Sequence, residues 1–278
     1  MSDSIIVNVS DGIARVTFNR PAFLNAMNFE MGRRWRDVAH EVTSDPSVGA
    51  VILDAAGPAF CAGGDVFEMG TSGATGADVT AAANTIHEGI RTFVESDKPI
   101  VAAVQGAVAG GGLGLMLTAD YIVAADSSKF VSKYANIGLT PDLGVSTLLT
   151  EAVGERRALQ LVLQDRTLSA AEALEWGMIA EALPAAEVAA RVEEVAAFWL
   201  SGATAAFGQA KRLVRTARVR SFADNLDDEA KTIGAAFDTE ASKVRVAGFV
   251  AATAKRAAAD STAASSAAAS STASEENR

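Results

Sequence analysis

Three consecutive glycines, Gly110, Gly111 and Gly112, stand between the apolar run Ile100-Val-Ala-Ala-Val104 and a second apolar run through Leu113, Leu115, Met116 and Leu117. Adjacent glycines cost backbone entropy on folding, so they mark a place where another group comes close to the main chain. The first run reads as a buried strand and the second as a helix closing at Thr118-Ala-Asp120. The leading N–H groups of such a helix have no intrahelical partner. They lie at the positive end of the helix dipole. A strand, a glycine turn and a helix start therefore offer a seat for an oxyanion, provided a second N–H converges on it. Tight packing of strand on helix is the competing explanation, and the glycines alone do not choose between them.

Around this turn the chain reads as strands and helices in alternation. Ile5–Val9 and Ile13–Phe18 alternate apolar and polar residues about Ser10-Asp-Gly12, which predicts a β-hairpin. Asn28 predicts a cap for a helix over 29–42, with Met31, Trp35, Val38 and Val42 on one face. Val51-Ile-Leu53 reads as a short buried strand that runs into a second glycine-rich turn, Gly57-Pro-Ala-Phe-Cys-Ala-Gly-Gly-Asp65. Residues 70–77 read as a small polar loop, and 78–96 as a helix with Ile86, Ile90, Phe93 and Val94 on its apolar stripe. Tyr121–Ala124 reads as a strand and 130–144 as loop with a short helix. Helices are predicted over 145–153, 155–163 and 170–176, the last opened by the capping-box pattern Ser169-Ala-Ala-Glu172. From about residue 185 the pattern is helical throughout. Strands and helices mixed, followed by helices alone, imply an α/β core with a helical appendage. The expected division is a core over 1–195, a helical region over 196–256, and a disordered tail over the Ala- and Ser-rich 257–278.

Composition narrows the function. At 278 residues and 49% hydrophobic, the chain can bury a large core. No run approaches the ~18 uninterrupted apolar residues of a membrane span, and the opening MSDSIIVNVSDG has no secretory pattern. The single cysteine, Cys61, fits a reducing compartment, so a cytoplasmic setting is expected. Two histidines and one cysteine give little for a metal site of the His/Cys kind. A net charge of −10 argues against general nucleic-acid binding, which needs a basic footprint.

Taken together and in this order, several segments resemble the crotonase (enoyl-CoA hydratase/isomerase) superfamily over roughly residues 5–250. They are Asn19-Arg-Pro-Ala-Phe-Leu-Asn-Ala-Met27, Phe60-Cys-Ala-Gly-Gly-Asp65, Lys98-Pro through Gly112, Ala119-Asp120, Pro141-Asp-Leu-Gly144 and Ala170-Ala-Glu-Ala-Leu-Glu-Trp-Gly177. The resemblance implies a spiral of ββα units and a C-terminal helical region that assembles trimers or dimers of trimers. It implies an acyl-CoA thioester substrate, with coenzyme A entering as part of that substrate and no separate cofactor. It implies an oxyanion hole made of the backbone N–H groups of Gly64 and Gly111. Each such donor is worth about 2.7–4 kcal/mol in comparable sites. It also implies that Ala62, Gly64, Asp65, Val66 and Gly111, with Phe23 and Leu24, line the path of the acyl-CoA.

The side chains narrow the reaction. Hydratases of this family carry two glutamates, at positions that match Gly114 and Tyr134 here. Neither residue is a carboxylate, and adding water across a double bond needs a positioned acid/base pair. Asp142, in Thr140-Pro-Asp-Leu-Gly144, matches the lone carboxylate of the enoyl-CoA isomerases. One carboxylate suffices to take a proton α to the thioester and return it at the γ carbon. Burial in an apolar pocket would raise its pKa toward the useful range. A helix cap at Gly144 is the alternative role for Asp142. His87 and Asp142 also match the general base and nucleophile of the 4-chlorobenzoyl-CoA dehalogenases, which have a Trp where Tyr134 stands. An enoyl-CoA isomerase is therefore the favoured reading. An aryl-CoA hydrolase of the dehalogenase kind and a non-catalytic CoA-thioester-binding protein are the rivals.

The remaining candidates read as structural. Cys61 has no nearby base and reads as packing. His40 reads as solvated and Asp120 as locally paired. Arg20, Lys211, Arg212, Arg215 and Arg218 either meet CoA phosphates or form a solvated or interface face.

Overall fold

The computed structural model describes residues 3–164 and 166–256. The segment expected to be a tail, 257–278, lies outside the described residues.

Strands β1 (Ile5–Ser10) and β2 (Ile13–Phe18) form the antiparallel hairpin the alternation predicts, turned at Asp11-Gly12. Helix α1 (Phe29–Ser44) begins where the Asn28 side chain accepts the Met31 N–H, and it buries Met31, Trp35, Val38 and Val42. Strand β3 (Ala50–Ala55) runs parallel to β2. Helices α2 (Val66–Thr71) and α3 (Gly76–Glu95) follow. The loop expected over 70–77 is thus cut at both ends by helix. Thr75 and Asp78 cap each other's backbone at the start of α3, which makes this small polar stretch a helix signal.

Strand β4 (Ile100–Val104) is buried along its whole length. After it come β5 (Ala107–Ala109), α4 (Gly111–Leu117), β6 (Tyr121–Ala125) and β7 (Lys129–Val131). A 3₁₀ turn over Ala135–Ile137 and a π-helical turn over Val145–Leu149 lead to α5 (Thr150–Val153) and α6 (Glu155–Leu163). Strand β8 (Thr167–Ser169), α7 (Ala170–Glu175), β9 (Glu181–Leu183), α8 (Ala185–Ser201) and α9 (Thr204–Ala217) complete this part of the chain. The Ser169–Glu172 capping box opens α7 as predicted.

The strands make a six-stranded sheet in the order β1-β2-β3-β4-β6-β9, parallel except for the hairpin, and a three-stranded sheet β5-β7-β8. On one face of the larger sheet Phe18, Trp35, Phe60 and Phe93 form a chain of aromatic contacts with centroids 5.0–5.7 Å apart. The other face is covered by α8, whose Val188, Val192, Val195 and Ala196 meet Ile52, Val101 and Val123. Alternate residues of β3 and β4 thus serve two cores, which is why those strands read as continuous apolar runs.

The compact units of the chain divide between Arg220 and Ser221, with α9 in the first of them. Lys211 of α9 is buried, and its Nζ donates to the carbonyls of Phe93 and Lys98 at 2.8 and 2.7 Å. The second unit begins with α10 (Phe222–Phe237), capped by Ser221, and residues 240–256 are again helical. Phe222, Leu226, Ile233 and Phe237 fall on one side of α10 at helical spacing.

Candidate active site

The two glycine turns are stitched together by backbone. Cys61 bridges Val108 of β5, with Ala109 N–H donating to Cys61 O at 3.0 Å. Gly110 then takes φ 51°, ψ −126°, a conformation open to glycine, as its N–H reaches Val131 O at 3.0 Å. A methyl group on Gly63 would lie 2.8 Å from Ala109 O and 3.3 Å from the Gly111 nitrogen. One on Gly112 would lie 2.3 Å from Cys61 O. The glycines therefore serve close approach, and the approach brings residue 63 beside residue 111.

The N–H directions follow from a full accounting of donors. Gly64 forms a parallel bridge with Met27, in which Met27 N–H reaches Gly63 O at 2.7 Å and Asp65 N–H reaches Met27 O at 2.9 Å. Neighbouring residues of an extended segment point opposite ways, so the Gly64 N–H faces away from Met27. Gly111 is the first residue of α4 and has no intrahelical acceptor. Among the described residues, neither of these N–H groups donates to a carbonyl of the surrounding turns. Gly64 and Gly111 line one cavity of about 240 Å³ together with Ala62, Val66, Tyr134 and Asp142.

Asp142 enters this cavity from a strained turn. Leu143 has φ 48° and Gly144 φ 81°, and Val145 N–H closes on Asp142 O at 2.9 Å. Leu143 packs over the start of α4: a methyl on Gly111 would meet Leu143 Cδ1 at 2.6 Å and Asp142 Oδ1 at 3.4 Å. The Asp142 carboxylate does not cap the helix that follows. Instead it accepts the Tyr134 hydroxyl at 2.5 Å. Burial pushes its pKa above the usual carboxylate range, opposed by the Tyr134 hydrogen bond. Burial and the adjacent carboxylate push the Tyr134 phenol up as well, so it stays a donor. A second cavity of about 450 Å³, lined in part by Met27, Phe29, Gly32, Met69 and Ile86, meets the first at Gly64, Met69 and Asp142.

His87 projects from α3 to the same turn, where its Nε2 accepts the Leu143 N–H at 3.0 Å. Gly114, at one of the hydratase glutamate positions, has no room for a side chain. A methyl there would lie 1.9 Å from the Leu143 carbonyl oxygen. Nothing in the local sequence announced this contact, because it joins the inner face of α4 to a turn far along the chain.

Other expected residues fall at different distances from the cavities. Phe23 and Leu24 are exposed beside them, with Ala62 N–H donating to Leu24 O at 3.0 Å. Asp65 caps α2 and pairs with Arg20 at 3.0 Å, and Arg20 stacks on Phe23 at 4.6 Å. Asn25 was not singled out by sequence, yet it holds this corner. It is fully buried at φ 56°, and its amide bonds Ala56 O, Ala59 O and Arg20 N–H. An asparagine between Leu24 and Ala26 was the available signal, since asparagine tolerates the left-handed region. The basic residues of α9 and of its C-cap are engaged elsewhere: Lys211 and Arg215 with Asp120, Arg212 with Gln209, and the C-cap Arg218 with Glu151. His40 pairs with Glu88 at the surface. Cys61 is buried, which pushes its thiol up to about 12, and packs with Sγ on Asn25 O. Among the described residues no group of three His, Cys, Asp or Glu side chains is placed to hold a metal ion.

Comparison with known proteins matches residues 8–257 to a family model described as enoyl-CoA hydratase/isomerase. The 1,2-epoxyphenylacetyl-CoA isomerase of Escherichia coli K12 is 32% identical over 234 residues, covering 82% of this chain and 88% of the relative. The 4-chlorobenzoyl coenzyme A dehalogenase-2 of an Arthrobacter species is 35% identical over 194 residues, covering 69% and 70%. The crystal structure of an enoyl-CoA hydratase from Mycobacterium avium subsp. paratuberculosis has a TM-score of 0.71 at 31% identity, covering 86% and 95%.

Proposed function

Because the chain belongs to the enoyl-CoA hydratase/isomerase family, whose members act on CoA thioesters, we propose that it shifts a double bond along an acyl-CoA. In this reading the thioester oxygen sits between the N–H groups of Gly64 and Gly111. Asp142 removes a proton from the α carbon, negative charge moves to the thioester oxygen, and the same carboxyl group returns the proton at the γ carbon. Fixed donors aimed at developing charge need no reorganisation during the reaction. The Tyr134 hydroxyl keeps the Asp142 carboxylate in one rotamer beside the cavities.

The observation that carries the proposal is the Leu143 carbonyl against Gly114, with Asp142 Oδ1 close to Gly111. It closes one hydratase carboxylate position, and the half-buried Asp142 carboxylate stands where the two cavities meet. The test is a 3-enoyl-CoA thioester, whose conversion to the conjugated 2-enoyl form raises ultraviolet absorbance. Turnover by the wild-type chain should fall by about 10²–10⁴-fold in Asp142→Asn, the usual worth of a positioned acid/base. Undiminished turnover by that variant would remove the proposed base.

One observation favours a second reading. Two hydrogen bonds meet at the turn that carries Asp142, from the Tyr134 hydroxyl to its carboxylate and from the Leu143 N–H to His87, and a relative named as a dehalogenase is among those matched. In it Asp142 attacks a halogenated ring carbon, halide leaves, and water hydrolyses the aryl ester. Halide release from 4-chlorobenzoyl-CoA would raise this reading above the first. CoA-thioester binding with no turnover on either substrate would leave a binding protein. Assembly as a homotrimer or a dimer of trimers through 196–256, in the cytoplasm, belongs to the same proposal, and sedimentation tests the assembly.

A further inference from the structure

We propose that His87 is a positioning residue for Asp142: its Nε2 accepts the Leu143 N–H and so fixes the turn that carries the carboxylate, rather than acting as a base on water. The proposal rests on the isomerase reading for its kinetic consequence, but the tether itself is a feature of the fold. The geometry is specific. The N–H···Nε2 separation is 3.0 Å. The ring of a neutral histidine has one acceptor nitrogen and one donor nitrogen. With Nε2 engaged as the acceptor, the proton belongs on Nδ1, and no lone pair is left to draw a proton from water.

Leu143 is what makes the tether matter. It is buried at 2% exposure and held at φ 48°, a backbone region a leucine adopts only under constraint. Its Cδ1 lies over Gly111 and its carbonyl over Gly114, so a shift of this residue moves Asp142 relative to the oxyanion glycines. Helix α3 supplies a rigid anchor, with Ile86 and Ile90 in the core on either side of His87 and Ile90 also under Gly144. Without an acceptor at position 87, a buried N–H would lose its partner inside a strained turn.

The experiment compares His87→Gln, which keeps an acceptor of similar reach, with His87→Leu, which has none. Both are assayed with the 3-enoyl-CoA thioester, and folding is checked by thermal unfolding. His87→Gln should stay near wild-type kcat. His87→Leu should lose about 10²-fold in kcat, the scale set by misplacing a reacting group by an ångström, with KM little changed. A folded His87→Gln as inactive as His87→Leu overturns the proposal, because the imidazole would then be doing proton transfer. Should the wild-type chain not turn over this substrate, the isomerase reading fails on its own. The tether is still read by ¹⁵N NMR of the wild-type chain. An unprotonated Nε2 coupled to the Leu143 amide across the hydrogen bond supports it, and a protonated Nε2 overturns it. The same NMR measurement decides the case if His87→Leu does not fold.

Discussion

Tyr134 and burial act on the Asp142 carboxyl in opposite directions. Burial raises its pKa above the ordinary 3.8, while the hydroxyl of Tyr134 favours the charged form and lowers it. The deprotonated form is the proposed base, so turnover should fall as pH drops through that raised pKa. The acid limb of the rate profile then lies above the usual carboxylate range. Tyr134→Phe removes the lowering influence, and the limb should move to still higher pH, with activity lost first at the acid end. A kcat/KM profile of the two chains checks this, and a limb that stays in place would detach Tyr134 from the titration. Linkage gives stability the opposite sign: the folded chain keeps this proton to higher pH than the unfolded chain, so ionising Asp142, which switches the base on, subtracts stability in that window. At this scale the sequence was partly legible. Asp142, Gly64, Gly111 and His87 were candidates because motifs mark positions. The bond from Tyr134 to Asp142 and the role of His87 as an acceptor were not legible, since a motif does not say which atom of a ring meets which partner.

At the level of elements, the glycines of the two turns differ in what they permit. Gly114→Ala would put a methyl 1.9 Å from the Leu143 carbonyl, a main-chain atom that moves only with the whole turn. Overpacking of this kind typically costs about 1–3 kcal/mol, and here the displaced turn carries Asp142, so both stability and turnover should fall. Gly76→Ala is the control. It has nothing within 4 Å, lies at the first turn of α3 and has no positive φ, so it should be neutral or stabilise by about 0.4–1 kcal/mol. Urea unfolding of the two variants beside an activity assay separates them, and equal effects would refute the steric account. The long elements were legible from their periodicity: the hairpin, α1, α3 and the buried β4 stand where the pattern put them. The strands β5, β7, β8 and β9 were not, because three residues are too few to display an alternation. Their pairing is fixed by partners distant in sequence.

On the scale of the whole chain, the question is what ties α9 to the first compact unit, and Lys211 is the answer its contacts give. Its Nζ donates to the Phe93 and Lys98 carbonyls and pairs with Asp120 at 3.2 Å, all at 8% exposure. Lys211→Met keeps much of the stem's packing but leaves those carbonyls without their donor. Asp120 retains Arg215 at 3.0 Å, so the loss should fall near the lower end of the range for breaking a buried pair, about 3 kcal/mol. Urea unfolding measures it, and a change under about 0.5 kcal/mol, the level of an ordinary surface substitution, would show that α9 is held by its apolar contacts alone. The pH dependence carries an independent sign. Burial lowers the Lys211 pKa from its ordinary 10.5. Below 10.5, and above the lowered value, the unfolded chain therefore binds more protons than the folded one, and stability from this group rises with pH. Subtracting the stability profile of Lys211→Met from that of the wild type should expose this upward slope on the alkaline side. A difference flat across that window would mean that the buried ammonium is fully compensated by Asp120 and the two carbonyls. This tie was not legible in the sequence, since a lysine read along a basic helix face looks solvated until the carbonyls that receive it are found in distant parts of the chain.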